Sequence, residues 1–233
     1  MIEEQQIKIL ITVNILLIAI LLIFFNQSDI DLALQNFLFD FQNNTWLIDR
    51  NEPTLKLIFY TLPKLLLGAL ILLSIAALTF FKNKEFTKKY RKQIILIFLG
   101  ITITALIAGN IKKFTNIYCP NQLEIYDGNY PYVKILDPYP TNFIQEKRGY
   151  CFPAGHAVTG FCLMILFFIQ AKKRQRILAL SFSIILGWIL GFYQMAKGAH
   201  FFSDTLISML VCFLLATIIA KLFYLKYNFP SKK

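Results

Sequence analysis

Histidine is nearly missing from this chain: there are two in 233 residues, His156 and His200. Acidic residues are scarce, 13 against 24 Lys and Arg, and cysteine stops at four. These shortages exclude some chemistry. Two histidines and one Asp, with no cysteine at ligand spacing, make a poor zinc site, so neither a metal nor a cofactor is expected. There is no internal repeat and no low-complexity linker. Nothing marks a second globular unit, and residues 1–233 read as one domain. Charge is also short, at 16% of residues, and hydrophobic residues replace it, at 57% with 23 Phe and 11 Tyr. With a mean hydropathy of +0.56, this is not the composition of a water-soluble domain.

What is present is a set of six apolar runs, at 7–25, 57–81, 94–111, 157–171, 177–196 and 205–224. A helix needs about 20 apolar residues to cross a bilayer. The expected fold is therefore all-α, a bundle of six transmembrane helices with a long outer loop between the third and fourth. The fourth run is short. It reaches spanning length only if the turn around Gly155 and His156 also lies at membrane depth. Pro63 and Lys64 interrupt the second run near its start, so its strictly apolar part begins at Leu65. The first run follows MIEEQQIK and precedes FFNQSD, with no small-residue cleavage site. It reads as a retained span.

The net charge of +11 does not point to nucleic acid, because it is sorted by loop. Segment 82–93 holds six basic residues and one acidic, 172–176 holds four basic, and the tail from Lys221 holds four more. Segment 26–54 instead holds Asp29, Asp31, Asp40, Asp49 and Glu52 against Arg50 alone. Basic loops stay cytoplasmic. Both termini, 82–93 and 172–176 are thus expected inside a bacterial inner (cytoplasmic) membrane, with 26–54, 112–156 and 197–204 outside. The bilayer is the expected partner, and attraction to anionic headgroups is a by-product.

The outer loop 112–156 is rich in Tyr, Pro and Asn and is expected to fold at the membrane surface. Segment 30–49 reads as an outer amphipathic helix, either lying in the interface or packing as a lid over the spans. Cys162 and Cys212 fall inside runs as packing residues. Cys119 and Cys151 share the outer loop, on the side where disulfides persist. Spacing leaves a bridge and two free thiols both open.

Both histidines fall at outer helix ends, at one depth. His156 stands in CFPAGHAVTG before the fourth run, and His200 in KGAHFFSDTL before the sixth. Asp204 is four residues after His200 and shares its helix face. A carboxylate there can accept Nδ1–H and leave Nε2 free as a nucleophile. A lone histidine is more often a satisfied structural residue. Two at one depth, one with an Asp at helical spacing, point to function. Gly155 opens the fourth helix, and helix N-termini bind anions. Lys112 and Lys113 end the third run, and Lys197 precedes His200 by three residues. This is a set for phosphoryl transfer: one histidine attacks phosphorus, the other protonates the leaving oxygen, and cations hold the remaining oxygens.

These residues also resemble the motifs of the type-2 phosphatidic acid phosphatase family, membrane relatives of vanadium haloperoxidases and bacterial acid phosphatases. The family's K-x-x-x-x-x-x-R-P is matched by KKFTNIYCP at 112–120, its P-S-G-H by PAGH at 153–156, and its S-R-x-x-x-x-x-H-x-x-x-D by YQMAKGAHFFSD at 193–204. The resemblance implies a metal-independent phosphoric ester or diphosphate hydrolase. His200 would form a phosphohistidine, Asp204 would orient it, His156 would be the general acid, and Lys112 with the Gly155 amide would bind phosphate. It implies phosphorylated amphiphiles as substrates: undecaprenyl diphosphate, phosphatidylglycerol phosphate, phosphatidic acid or the phosphates of lipid A. A lipid phosphotransferase and an inactive lipid-phosphate binder or transporter stay open beside it. Cys119 and Gln194 stand where the family has arginines, and Ala154 where it has serine. Lysine does not freely replace a bidentate guanidinium. Lys197, one turn from Gln194, is the first candidate to compensate, followed by Lys113, Lys147 and Arg148. If Cys119 and Cys151 do pair, the bridge would hold Lys112 near both histidines.

Overall fold

A long apolar segment has no polar face to offer water, and in lipid its backbone must bond internally. In the computed structural model, which describes residues 4–227, the chain answers mainly with helices. In order these are α1 (Glu4–Gln27), a short α2 (Ile30–Asn36), a two-stranded hairpin of β1 (Phe39–Asp40) and β2 (Thr45–Trp46), α3 (Pro53–Thr79), α4 (Glu85–Thr115), α5 (Gly155–Ile169), α6 (Lys173–Ala196) and α7 (Phe202–Tyr227). Five of these, α1, α3, α4, α6 and α7, are long and apolar enough to cross a membrane. The chain is a multi-pass membrane protein. The expected fourth span is the exception. The fifteen or so residues of α5 rise only about 22 Å, against a hydrocarbon core of about 30 Å, and a 3-10 stretch at Cys162–Ile165 interrupts it.

The short helix lies at the centre. Phe161, Cys162, Met164 and Ile165 are buried, packed with Leu96 and Ile101 of α4 and Ala216 of α7. Gly160 lets α5 touch α6: a Cβ there would lie 2.4 Å from the backbone nitrogen of Gly187. Small residues permit this backbone approach between membrane helices. The outer helices turn the other way. Leu16 and Ile20 of α1 and Leu65, Leu66 and Leu72 of α3 are exposed, as lipid-facing residues should be.

Two boundaries differ from the sequence expectation. The basic segment 82–93 is helical from Glu85, because Lys, Arg and Gln are good helix formers once clear of the hydrocarbon. Segment 30–49 is not one amphipathic helix. Asp40 accepts the amides of Gln42 and Asn43 at 2.9 and 3.3 Å, and Asn44 is left-handed at φ 49. Such side-chain turns compete with the helix, so the chain folds back as a hairpin. It packs as a lid. Phe39 and Trp46 contact Tyr126 at 5.2 and 5.1 Å, Phe201 joins their cluster, and the Ile48 amide donates to Ala196 O at 3.0 Å.

The outer loop, residues 116–154, is ordered by its aromatics. Tyr118 stacks on Tyr130 at 3.9 Å, Gln145 bonds both Asn116 and the Tyr118 hydroxyl, and the Cys151 amide donates to Ile117 O at 2.8 Å. The loop's end is thereby laid beside its start.

Candidate active site

The site forms where this loop meets the start of α7. The Ala154 amide, just ahead of α5, donates to Asp204 O at 3.2 Å. That bond sets the beginnings of α5 and α7 side by side, and the His156 and His200 rings lie 6.4 Å apart. Two groups meet at one carboxylate oxygen: Asp204 Oδ2 is 3.1 Å from His200 Nδ1 and accepts the Phe201 amide at 3.0 Å. With a carboxylate oxygen at Nδ1, the tautomer protonated there is favoured, and it leaves the lone pair on Nε2. His200 is buried, and burial, followed by the ammoniums of Lys112 and Lys197, holds it well below the ordinary imidazole range. A neutral ring with a free Nε2 is what a nucleophile requires.

His156 is placed differently. Both its ring nitrogens are buried without a hydrogen-bond partner among the described residues. Its ring lies against Tyr60 with centroids 4.4 Å apart. Unpaired buried polar atoms cost free energy, so these two nitrogens are suited to bond a polar ligand. Gln194 adds another, because it is buried with Nε2 unpaired.

The cations surround this pair. Lys112 lies against Gly155, where a Cβ would sit 3.3 Å from its Nζ. Lys197 is buried, its Nζ 4.7 Å from the Tyr193 ring and 5.4 Å from the Tyr60 ring. A tight turn follows. Gly198 takes φ +71, and a Cβ there would lie 2.3 Å from Trp46, so glycine is required both by conformation and by the lid. Burial, followed by repulsion from Arg50, Lys56 and Lys64, lowers the Lys197 ammonium to about 8. Lys113, Lys147 and Arg148 are exposed and stand outside this cluster. Of the four proposed substitutes for the missing arginines, the fold brings in Lys197 alone.

Cys119 and Cys151 are joined as a disulfide, their Cα atoms 4.9 Å apart. Cys151 Sγ lies 3.3 Å from His200 Nδ1 and 3.4 Å from Asp204 Oδ2. The bridge therefore backs the His200–Asp204 pair directly, beyond tying the loop. Among the described residues, Cys119, Cys151 and His200 are the set with metal-type ligand atoms within 4.8 Å of one another. Bonded to each other, the two sulfurs offer no thiolates, and the donor set does not fit a metal as it stands.

A model of the PAP2 superfamily matches residues 93–228, more than half of the chain. The chain belongs to the PAP2 superfamily. It is also similar to a protein named lipid A 4'-phosphatase from Francisella tularensis subsp. novicida, 26% identical over 147 residues. The match covers 62% of this chain and 64% of that relative, less than two thirds of its length. No solved structure matches. The PAP2 segment opens within α4 and contains both histidines, Asp204, Lys112 and Lys197. Everything before α4 lies outside it.

Three residues that touch the site come from that earlier part, and sequence reasoning assigned none of them to it. Tyr60 and Lys64 of α3 are two. The third is Asp31 of α2, which is buried and accepts the Ser203 amide at 2.9 Å. Burial raises its carboxyl to about 6. It caps the helix that carries Asp204, although 172 residues separate donor and acceptor, and no local spacing signals such a pair. Asp31→Ala is expected to cost about 1–2 kcal/mol, the usual loss for an N-cap, and to slow catalysis by loosening the first turn of α7. Asp31→Asn, which keeps an acceptor, is expected to retain most of both. Thermal unfolding midpoints and phosphate-release rates check this.

Proposed function

We propose that this PAP2 chain is a lipid phosphatase that acts through a phosphohistidine on His200. The observation that carries the reading is one juxtaposition: a buried His200 paired with Asp204, with the unpaired His156 ring 6.4 Å away. His200 Nε2 attacks phosphorus as the ester P–O bond breaks. His156, whose protonation the bound phosphate's negative charge favours, gives its proton to the leaving oxygen. Water then attacks the P–N bond, His156 takes the water's proton, and inorganic phosphate leaves with His200 restored. Lys112, Lys197 and the first amides of α5 hold the non-bridging oxygens. No step calls for a metal.

The membrane setting supports an amphiphile as substrate. An apolar cleft of about 260 Å³ opens along α3, α5 and α6, lined by Pro63, Leu67, Thr159, Leu163 and Phe182. Thr159 is three residues from His156, so hydrocarbon in the cleft would bring a headgroup phosphate to the histidines. The relative's name favours the phosphates of lipid A. The basic segments 82–93 and 172–176 follow the ends of α3 and α5 away from the site, which under the charge rule supports a site on the periplasmic face of the inner membrane with both termini in the cytoplasm.

The test is phosphate release by the purified protein in detergent, with EDTA, over lipid A, phosphatidylglycerol phosphate, phosphatidic acid and undecaprenyl diphosphate. EDTA-resistant release from at least one supports the reading. Absence of release from all four from a monodisperse protein overturns it.

The Lys197 ammonium sets an alkaline limit. Its charge is present at pH 7 and is lost as pH rises through about 8. Above that value kcat/KM is expected to fall about tenfold per pH unit. Lys197→Arg, which stays charged, should remove this limb of the pH profile.

A further inference from the structure

Lys64 is the single charged residue of the otherwise apolar stretch Leu62–Thr79. Charge inside a membrane helix is costly and is kept where it has work to do. The preceding turn, Leu57–Thr61, is a π-helix in which the Leu62 amide bonds back to Leu57 O. Such turns are rare and concentrate at functional sites. Tyr60 sits within it, and its ring collects the surroundings of the site: His156 at 4.4 Å, Lys64 Nζ at 3.9 Å and Lys197 Nζ at 5.4 Å. Aromatic faces hold cations that have no anion. Lys64, Lys112 and Lys197 form no ion pair with a carboxylate among the described residues. Three unpaired ammoniums gathered around two unpaired histidine nitrogens describe a site short of negative charge.

We propose that Lys64, seated on Tyr60, is a phosphate-binding residue of this site, contacting a non-bridging oxygen of the substrate phosphomonoester. With Lys197, just past α6, it supplies from α3 the positive charge that Cys119 and Gln194 do not. The assignment rests on the phosphatase reading above, but not on the PAP2 match, which begins 29 residues later. It makes α3, together with the cleft below it, one wall of the substrate site: a cation for the phosphate and apolar side chains for the hydrocarbon. Four residues apart, Tyr60 and Lys64 share one side of α3, although Pro63 falls between them.

The test uses the full chain in detergent and two readouts: kcat/KM for the preferred lipid, and affinity for inorganic phosphate by titration calorimetry. Lys64→Gln is expected to lower kcat/KM about a hundredfold and to weaken phosphate binding at least about tenfold, with an unchanged thermal midpoint. Lys64→Arg, which keeps the charge, is expected to stay within about threefold of wild type on both. Tyr60→Leu removes the seat, and phosphate affinity is expected to fall several-fold, while Tyr60→Phe leaves it unchanged. Should Lys64→Gln fail to fold, the Tyr60 pair decides by the same measure. Wild-type phosphate affinity in Lys64→Gln, or in Tyr60→Leu, overturns the proposal and leaves Lys64 an anchor to lipid headgroups. Failure of the phosphatase reading itself shows earlier and separately, as a wild-type protein that neither releases nor binds phosphate.

Discussion

His200→Ala is expected to reduce phosphate release by about 10⁴- to 10⁶-fold, the loss typical of removing a covalent nucleophile. The physical basis is that no other group in the site can replace it. His156 is the one other histidine, and its nitrogens have no carboxylate to fix a tautomer. The lysines surrounding the site are cations, without a lone pair to give while protonated. Acid-quenched wild type incubated with substrate should carry an acid-labile phosphate, and His200→Ala should carry none. Asp204→Asn is expected to lose about 10⁴-fold, because an amide at that position can present its N–H to Nδ1 and hold the wrong tautomer. His156→Ala should slow release from lipid substrates yet spare a substrate whose leaving group needs no proton. If His200→Ala keeps even a hundredth of the wild-type rate, the phosphohistidine route is wrong.

Breaking the Cys119–Cys151 bridge is the second large effect. Its 32-residue separation closes a loop whose entropy alone corresponds to about 3–4 kcal/mol. The larger consequence is chemical. With Cys151 Sγ 3.4 Å from Asp204 Oδ2 and 3.3 Å from His200 Nδ1, the bridged sulfur is a surface without a proton. A thiol or hydroxyl in its place is a donor aimed at the oxygen that must accept from His200. Cys151→Ser is therefore expected to lower kcat at least about a hundredfold, the scale of losing one oriented hydrogen bond in an active site. Cys119→Ala, which leaves a Cys151 thiol, should lose less. Both variants, and wild type after reduction, should unfold at lower temperature. A reduced enzyme with wild-type kcat and only a lower midpoint would show that the bridge is a tether and nothing more.

How much of this was legible beforehand depends on the range of the interaction. The four-residue spacing of His200 and Asp204 drew attention to the pair, but α7 begins only at Phe202, and the two meet because Asp204 Oδ2 turns back over the helix start to the Phe201 amide and the His200 ring. Lys197 drew attention by helical spacing too, one turn from Gln194. Lys113 was misplaced by that logic: it neighbours Lys112 in sequence, but adjacent residues on a helix point about 100° apart, and only Lys112 turns to Gly155. The hairpin at 39–46 was read as helix because its apolar spacing fits both periods, and the Asp40 side-chain turn decided between them. Asp31 and the bridged Cys119 reach the site across 172 and 81 residues (203 − 31 and 200 − 119), where no periodicity operates.

What the sequence alone determined is what depends on local pattern and on solvent. Apolar runs of membrane length compel helices because a bilayer offers the backbone no partners. Three spaced motifs located the candidate site. What only the tertiary structure decided is which distant groups share that site. The Ala154–Asp204 bond sets two helix starts together, α3 lays Tyr60 against His156 with Lys64 over its ring, and a disulfide stands behind His200. Each is a contact between elements whose relative placement follows from packing the whole bundle, and a linear pattern carries no record of it.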